Sequence, residues 1–310
     1  MMKRLAFLAG FLFAAASAVS AELQISLQMV EGHGGVPINV AEVGEPGRPG
    51  ILFIHGNGQS YISWTKQLNS GLADDFHLVA YDLRGHGNSG KPWRGEDYSH
   101  ACIWAEDIEA VLEATGLKNP IVVAWSRGGL IAMHYVRCRG TDDLAGIVMV
   151  GSRGRLVTVS LPGEDNPARV SQVQLETNDI EQNILGAQTF ASLMTIEQQS
   201  AEWETLSTAM NLLAPPYARR AMRAPTIGPT GEVERSYANL VNEIKLPFRV
   251  VLGGSDPLRD SLELADAYRA ATPEADVLIY PGVGHSPFIE SPERFNTDLR
   301  AFAEQIYKTK

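Results

Sequence analysis

A short stretch, residues 121–129, constrains this chain more than any other part of its sequence. It begins with the apolar, β-branched residues of a buried strand, passes through Ser126 and continues with two glycines. A serine on a sharp turn between a strand and a helix projects its hydroxyl beyond the sheet. Such a strained turn requires small residues two positions before and two positions after the serine. Ala124 and Gly128 fill those positions. Taken alone, the pattern is also typical of an ordinary strand-to-helix turn with an incidental serine, so the rest of the chain must decide.

Segments with strand and helix character alternate along most of the chain. We predict strands over residues 23–30, 37–43, 51–54, 76–81, 121–125, 145–150, 247–254 and 275–280, the first two forming a hairpin. Helices are predicted over residues 61–72, 100–115 and 292–307, and directly after Ser126. This alternation predicts an α/β fold with a mostly parallel sheet and helices on both faces. In such sheets, the functional residues gather at the carboxyl ends of the strands.

The pattern changes between residues 153 and 236. Runs with strand character disappear, residues 180–194 and 196–213 have the pattern of helices, and several prolines follow. We therefore expect a helical cap at residues 153–236, inserted into a core that is formed by residues 22–152 and 237–310.

The first residues have the composition of a secretory signal. Lys3 and Arg4 precede an apolar run over residues 5–16, and small residues lead to Ala21. This order predicts a signal peptide at residues 1–21 and a secreted or periplasmic protein. The apolar run is well short of the roughly 20 residues that cross a bilayer, which argues against stable membrane insertion. An uncleaved anchor is the alternative.

Charge and cysteine content narrow the possibilities further. The formal net charge of −10 argues against nucleic acid as a partner. Cys102 and Cys138 fall in predicted helices that start near the same end of the sheet. Cys102 falls in the first turn of its predicted helix, whereas Cys138 would lie about 18 Å along the other helix at 1.5 Å per residue. Since a disulfide needs Cα atoms within about 7 Å, we expect two free, buried thiols.

Two further residues could activate the Ser126 hydroxyl, which is a weak nucleophile until a base takes its proton. His285 follows a predicted strand on a glycine-rich loop and is the candidate base. Asp256 follows the preceding predicted strand on a tight turn and is the candidate orienting acid. The chain order is serine, aspartate, histidine, which is the order found on α/β-hydrolase sheets.

With these residues in place, the chain from residue 22 onward resembles the α/β-hydrolase superfamily. His55 and Gly56 match the oxyanion-loop motif of that family, and the segment from Asp82 to Gly87 matches its next signature. Within the superfamily the chain is most similar to small serine esterases and to the cofactor-free haloperoxidase or perhydrolase group. It also resembles haloalkane dehalogenases around His55, but those enzymes use an aspartate nucleophile followed by tryptophan. Ser126 and Arg127 occupy these positions here, so dehalogenase and aspartate-dependent epoxide hydrolase chemistry are rejected.

The resemblance implies hydrolysis of a small carboxylic ester through an acyl-enzyme. Ser126 would attack, His285 would act as base, and Asp256 would fix the imidazole. The backbone N–H groups of Asn57 and Arg127 would form the oxyanion hole. No cofactor and no metal are expected, because neither a ligand cluster nor a phosphate-binding motif is present. The substrate-binding residues and the oligomeric state are left open.

Several alternatives use the same three catalytic residues. They are a lactonase, a perhydrolase and a hydrolase of carbon–carbon bonds. A ligand-binding receptor on a hydrolase fold is the non-enzymatic alternative, and the complete set of Ser126, Asp256 and His285 argues against it. Two side chains also carry open interpretations. The Asn57 amide either contacts the substrate or has no role beyond its backbone. The Arg127 guanidinium either binds a substrate carboxylate or, as we expect, turns outward to pair with a surface acid.

Overall fold

The computed structural model describes residues 24–160 and 163–308. The predicted signal peptide, residues 1–21, therefore lies outside the described residues. Within them, no helix combines the length and the apolar composition that crossing a membrane requires.

An eight-stranded sheet forms the centre of the molecule, in the order β1-β2-β4-β3-β5-β6-β9-β10. The pairs β1–β2 and β2–β4 are antiparallel, and all other neighbours in this sheet are parallel. A separate two-stranded ladder joins β7 and β8. The strands are β1 (Ser26–Glu31), β2 (Pro37–Val43), β3 (Gly50–Ile54), β4 (His77–Tyr81), β5 (Ile121–Trp125), β6 (Gly146–Val150), β7 (Thr226–Ile227), β8 (Val233–Glu234), β9 (Phe248–Gly253) and β10 (Asp276–Tyr280).

Helices flank this sheet and fill the segment between β6 and β9. The helices are α1 (Thr65–Leu68), α2 (Glu96–Ser99), α3 (Ala101–Thr115), α4 (Arg127–Arg139), α5 (Pro167–Gln174), α6 (Ile180–Ser192), α7 (Ala201–Leu213), α8 (Pro216–Arg223), α9 (Ser261–Ala271), α10 (Pro287–Glu290) and α11 (Pro292–Tyr307). Helices α5 to α8 and the β7–β8 ladder all fall within residues 153–236, where we expected the cap, and we call this segment the cap below.

The sheet separates two hydrophobic cores, and alternate residues of each central strand enter opposite ones. In β3, Leu52 and Ile54 pack into one core, whereas Ile51 and Phe53 pack into the other. All four side chains are fully buried. Strands that are covered on both faces read as continuous apolar runs, which is why the sequence predicts them well. The predicted α/β fold, with a mostly parallel sheet and flanking helices, is confirmed.

The predicted helix over residues 61–72 is shorter in the structure. A 3-10 turn, Tyr61–Trp64, leads into the single turn of α1, and a second 3-10 turn, Gly71–Asp74, follows. The Ser70 side chain accepts a hydrogen bond from the Leu72 backbone N–H and starts that second turn. Local capping by serine therefore divides the segment into short turns.

The prediction of free thiols was wrong, because Cys102 and Cys138 form a disulfide with Cα atoms 5.5 Å apart. That prediction assumed that α3 and α4 start at the same level relative to the sheet. In the structure, the last turn of α4 lies beside the first half of α3. Arg139 confirms this placement through ion pairs with Glu106 and Glu109, at 3.8 and 2.7 Å. The start of α3 therefore lies beside the end of α4, where the two cysteines meet.

Candidate active site

The turn between β5 and α4 has the strained backbone that the sequence predicts. Ser126 has φ +53° and ψ −113°, a conformation that side-chain-bearing residues seldom adopt. Its N–H donates to the Val150 carbonyl, at 2.8 Å, and its carbonyl accepts from the Ser152 hydroxyl, at 2.6 Å. A Cβ atom on Gly128 would lie 2.4 Å from the Ile54 carbonyl oxygen. The close approach of α4 to β3 therefore requires glycine at this position.

His285 and Asp256 meet beside this turn. The His285 Nδ1 atom lies 2.7 Å from Asp256 Oδ2, and both side chains are about 1% exposed. Asp256 Oδ1 also accepts the Leu258 backbone N–H, at 2.8 Å, which holds the carboxylate in place. Because Nδ1 faces a carboxylate, it carries the proton, and Nε2 is left as the basic nitrogen. This Nε2 is buried and has no hydrogen-bond partner among the described residues.

The chain around Ser126 packs directly against His285. The Trp125 Nε1 atom donates to the His285 carbonyl, at 2.9 Å. A Cβ atom on Gly151, which follows the strand next to β5, would lie 3.2 Å from the His285 ring. No hydrogen bond joins the Ser126 hydroxyl to Nε2 in this structure. The serine, the histidine and the aspartate therefore gather at the carboxyl ends of β5, β9 and β10, with the imidazole already oriented by Asp256.

The loop after β3 lies against the same turn. A Cβ atom on Gly56 would be 3.3 Å from the Ser126 Cβ atom, so Asn57 follows a residue in contact with the serine. His55 fixes this loop: its Nδ1 donates to the Gly56 carbonyl, at 2.7 Å, and its Nε2 accepts the Leu83 N–H, at 2.9 Å. The Asn57 N–H finds no acceptor in the described part of the chain. Arg127 is the first residue of α4, where a helix leaves N–H groups unpaired.

The expectation for the Arg127 side chain was wrong, because the guanidinium turns beneath the cap instead of outward. Its Nη2 donates to the Met222 carbonyl in α8, at 2.7 Å, and its Nε is buried with no hydrogen-bond partner in the described segments. Burial lowers the pKa of Arg127 to about 10, and the nearby Arg155 charge contributes to this shift. The contact depends on a helix that lies nearly one hundred residues further along the chain, so local sequence gave no signal for it.

Arg219 and Asn211, two cap residues that the sequence did not single out, contact the loop after β3. A Cβ atom on Gly58 would lie 2.2 Å from Asn211 Oδ1 and 2.6 Å from Arg219 Nη2. Asn211 is fully buried and Arg219 is 3% exposed. The Arg219 Nη2 atom donates to the Asn211 backbone carbonyl at 2.6 Å and to the Asn211 Oδ1 atom at 3.3 Å, which holds the two residues together. The cap therefore packs directly on the loop that presents the Asn57 N–H.

Glu290, a second functional candidate without a sequence signal, joins the His285 loop to the cap. One carboxylate oxygen accepts the Gly284 N–H, at 2.8 Å. The other accepts the backbone N–H groups of Ile196 and Glu197, at 2.7 and 3.1 Å. Its place in α10, five residues after His285, is the sole hint that the sequence offers.

Three further buried imidazoles, those of His55, His86 and His134, are held neutral by their environment. Burial lowers the pKa of His55, and it lowers the pKa of His86 and His134 still further. The positive charges of Arg219 and Arg127 also lower the pKa of His86, so both guanidinium groups lie near this imidazole. In the described residues, no group of three or more His, Cys, Asp or Glu side chains is arranged to hold a metal ion.

Comparison with known proteins identifies the family of the chain and proteins of the same fold. The sequence model described as "Alpha/beta hydrolase family" matches residues 51–298. A putative aryl esterase from Burkholderia cenocepacia superposes with a TM-score of 0.81 at 30% sequence identity, covering 91% of this chain and 100% of that structure.

Two curated relatives show the range of activities in this neighbourhood. The bifunctional esterase/perhydrolase DCH of Acinetobacter calcoaceticus is 34% identical over 133 residues, which are 43% of this chain and 46% of that protein. The non-heme haloperoxidase of Rhodococcus erythropolis is 24% identical over 269 residues, which are 83% of this chain and 93% of that protein. The resemblance to esterases and haloperoxidases of this superfamily is thereby confirmed.

Proposed function

The chain belongs to the alpha/beta hydrolase family, and on that premise we propose that it is a serine hydrolase that cleaves small carboxylic esters. Ser126 is the nucleophile, His285 the general base and Asp256 the residue that orients the imidazole. The observation that carries this proposal is the His285 ring, whose Nδ1 lies 2.7 Å from Asp256 while its buried Nε2 is unpartnered beside the Ser126 turn. The structure described as a putative aryl esterase, at 30% identity over nearly the whole chain, supports the substrate class.

The first half of the reaction forms an acyl-enzyme. The Ser126 hydroxyl transfers its proton to His285 Nε2 while its oxygen bonds to the ester carbonyl carbon. The resulting oxyanion accepts hydrogen bonds from the N–H groups of Asn57 and Arg127. The intermediate collapses when the alcohol oxygen leaves and takes the proton from His285. Asp256 stabilises the imidazolium between these two steps.

Water completes the reaction in the second half. A water molecule gives one proton to His285 and bonds to the acyl carbon, and the Ser126 oxygen leaves with that proton. The products are one carboxylic acid and one alcohol, and the enzyme returns to its starting state. Loss of one oxyanion donor typically lowers turnover by about 10²–10³-fold.

The decisive experiment is an ester hydrolysis assay with a matched variant. We expect the protein to hydrolyse p-nitrophenyl acetate, and Ser126→Ala to reduce that activity to background. A fluorophosphonate probe followed by peptide mass mapping should label Ser126. Activity that survives in Ser126→Ala, or a probe that labels another serine, would contradict the assignment. Simple lactones tested beside the esters separate lactonase from esterase activity.

Perhydrolysis is the second candidate, and its support is the similarity to the bifunctional esterase/perhydrolase. In that reaction, hydrogen peroxide replaces water in the second half and releases a peracid. Bromination of monochlorodimedone in the presence of acetate, peroxide and bromide would detect the peracid. A purely hydrolytic enzyme would give no signal above the Ser126→Ala variant.

We also propose that the protein is exported and that the segment at residues 1–21 is removed. The Cys102–Cys138 disulfide supports this proposal, because disulfides persist mainly in oxidising compartments. Fractionation of expressing cells, with N-terminal sequencing of the exported form, tests the site after Ala21. Retention of the full-length chain in the cytoplasm would contradict it.

A further inference from the structure

Two arginines lie beside the proposed catalytic groups without an acidic partner. Arg219 is buried, and Arg127 is half-buried with its Nε atom fully buried. Arg127 donates to the Met222 carbonyl and leaves its Nε unpartnered. Arg219 donates to the carbonyls of Ala214 and Asn211, at 3.0 and 2.6 Å. Among residues 24–160 and 163–308, no carboxylate lies within ion-pair distance of either guanidinium. Glu176 is the carboxylate whose charge raises the pKa of both Arg127 and Arg219, but it is already paired with Arg223, at 3.1 Å.

Arg84 shows how this chain compensates a buried cation that has a structural role. Arg84 is fully buried, and its Nε and Nη2 donate to the two oxygens of Asp107, each at 2.6 Å. A buried charge is costly unless an opposite charge and hydrogen bonds compensate it. Arg84 follows this rule, whereas Arg127 and Arg219 depart from it. Two uncompensated cations at one place therefore indicate that an anion from outside the chain completes the site.

Both cations remain charged at neutral pH despite their burial. Burial, together with the smaller effect of the Arg127 charge, lowers the pKa of Arg219 to about 10. Burial lowers the pKa of Arg127 to about 10 as well. Both guanidinium groups are therefore positively charged under ordinary assay conditions.

Both arginines lie close to residues that the proposed reaction uses. Arg127 directly follows Ser126, and its side chain reaches from the start of α4 to α8. Arg219 belongs to α8 and packs on Gly58, next to Asn57. The two guanidinium groups thus lie where the cap meets the proposed oxyanion loop. They therefore belong to or contact residues adjacent in sequence to Ser126 and Asn57, which the proposed reaction uses.

We propose that Arg127 and Arg219 bind a carboxylate of the substrate, so that the preferred substrates are esters that carry a second, negatively charged group. Half-esters of dicarboxylic acids and esters of hydroxybenzoic acids have this chemistry. The inference rests on the proposed function, since it names the substrate class of the same site. Guanidinium groups suit this role, because their fork of N–H donors matches a carboxylate.

The test compares charged and neutral esters of the same size. p-Nitrophenyl hydrogen glutarate and its methyl ester place the charge on the acyl side. 4-Acetoxybenzoate and its methyl ester place the charge on the alcohol side. After normalisation to the uncatalysed rates, we expect kcat/KM to favour the charged member of at least one pair by roughly tenfold or more. Arg219→Gln should lower that ratio by roughly tenfold or more, whatever its effect on absolute rates.

Arg220→Gln is the matched control. Arg220 is the next residue of α8, but its side chain is exposed and donates to the Glu176 carbonyl. This variant removes the same charge from the same helix and should leave the ratio unchanged. Ratios near one for both pairs in the wild-type protein would overturn the inference, and so would a preference that persists in Arg219→Gln.

The outcomes separate this inference from the proposed function. If neutral esters are hydrolysed in a Ser126-dependent manner without any charge preference, the proposed function stands and the anion site is wrong. If no ester is hydrolysed, the proposed function fails, and calorimetry with glutarate and 4-hydroxybenzoate decides the anion site. Binding that Arg219→Gln weakens roughly tenfold or more supports the site. Absence of binding by both compounds overturns it.

Discussion

Replacing both cysteines of the Cys102–Cys138 disulfide with serine should destabilise the protein by about 4 kcal/mol. The bond closes a loop with a sequence separation of 36. The chain-entropy relation for a loop of that length gives about 4 kcal/mol at 25 °C, because the crosslink removes conformations from the unfolded chain. For a chain of this size, about 2 °C per kcal/mol corresponds to a fall in Tm of roughly 8 °C.

The assay is thermal unfolding followed by circular dichroism, with urea unfolding as a second measure. The double variant Cys102→Ser/Cys138→Ser is compared with the wild-type protein, with and without dithiothreitol. Reductant should move the wild-type Tm toward that of the variant and should leave the variant unaffected. Ester hydrolysis at 25 °C should change little, since the crosslink joins the last turn of α4, whereas Ser126 precedes its first turn.

Two results would refute this reasoning. A variant that is within 1 kcal/mol of the wild-type protein would show that the loop entropy is not what the bond contributes. A wild-type protein that is insensitive to reductant and reacts with two equivalents of a thiol reagent after denaturation would show that the bond does not form. The second result would restore the original expectation of free thiols.

Three further predictions concern the site and its surroundings. Gly128→Ala should abolish activity and destabilise the fold by more than about 2 kcal/mol, whereas Gly95→Ala, whose Cβ would meet nothing closer than 4.0 Å, should be nearly neutral in urea unfolding. Glu290→Gln removes an acceptor between the His285 loop and the cap, and should lower kcat roughly tenfold with an unchanged pH profile. The control Glu293→Gln changes an exposed residue and should leave kcat unchanged. Because the pKa of His134 is lowered well below 6.5 in the fold, the unfolded chain binds its proton more readily. Stability is therefore complete above about pH 6.5 and falls on acidification, by up to about 1.4 kcal/mol per pH unit for this residue. His134→Gln should flatten the dependence between pH 7.5 and 5.5, and an unchanged slope would refute this account.

The sheet and the turn at Ser126 could be predicted because their causes are local. β3, β5 and β6 are covered on both faces, so their sequences are unbroken apolar runs. The turn requires small residues around Ser126, and Gly128 shows why: even one additional methyl group would meet the backbone of β3. The pairing of Asp256 with His285 follows from their positions after neighbouring parallel strands, whose carboxyl ends share one edge.

Other features depend on how distant segments meet, and sequence reasoning failed there. The disulfide was excluded by assuming a common starting level for α3 and α4. That level is set by the segment between β4 and α3, whose path no periodicity reveals. Similarly, the Arg127 side chain is directed by α8, far along the chain. Helix α9 was not predicted, although Asp260 caps it through the N–H groups of Leu262 and Glu263, a local signal that was present in the sequence.

The two oxygens of Glu290 have a mechanical consequence. One holds the loop that carries His285, and the other holds the backbone at the start of the segment leading into α7. Any movement of the cap away from the sheet would therefore either break these hydrogen bonds or pull the His285 ring out of alignment. A substrate that holds the cap in its present position would thereby also hold the His285 ring in place through Glu290.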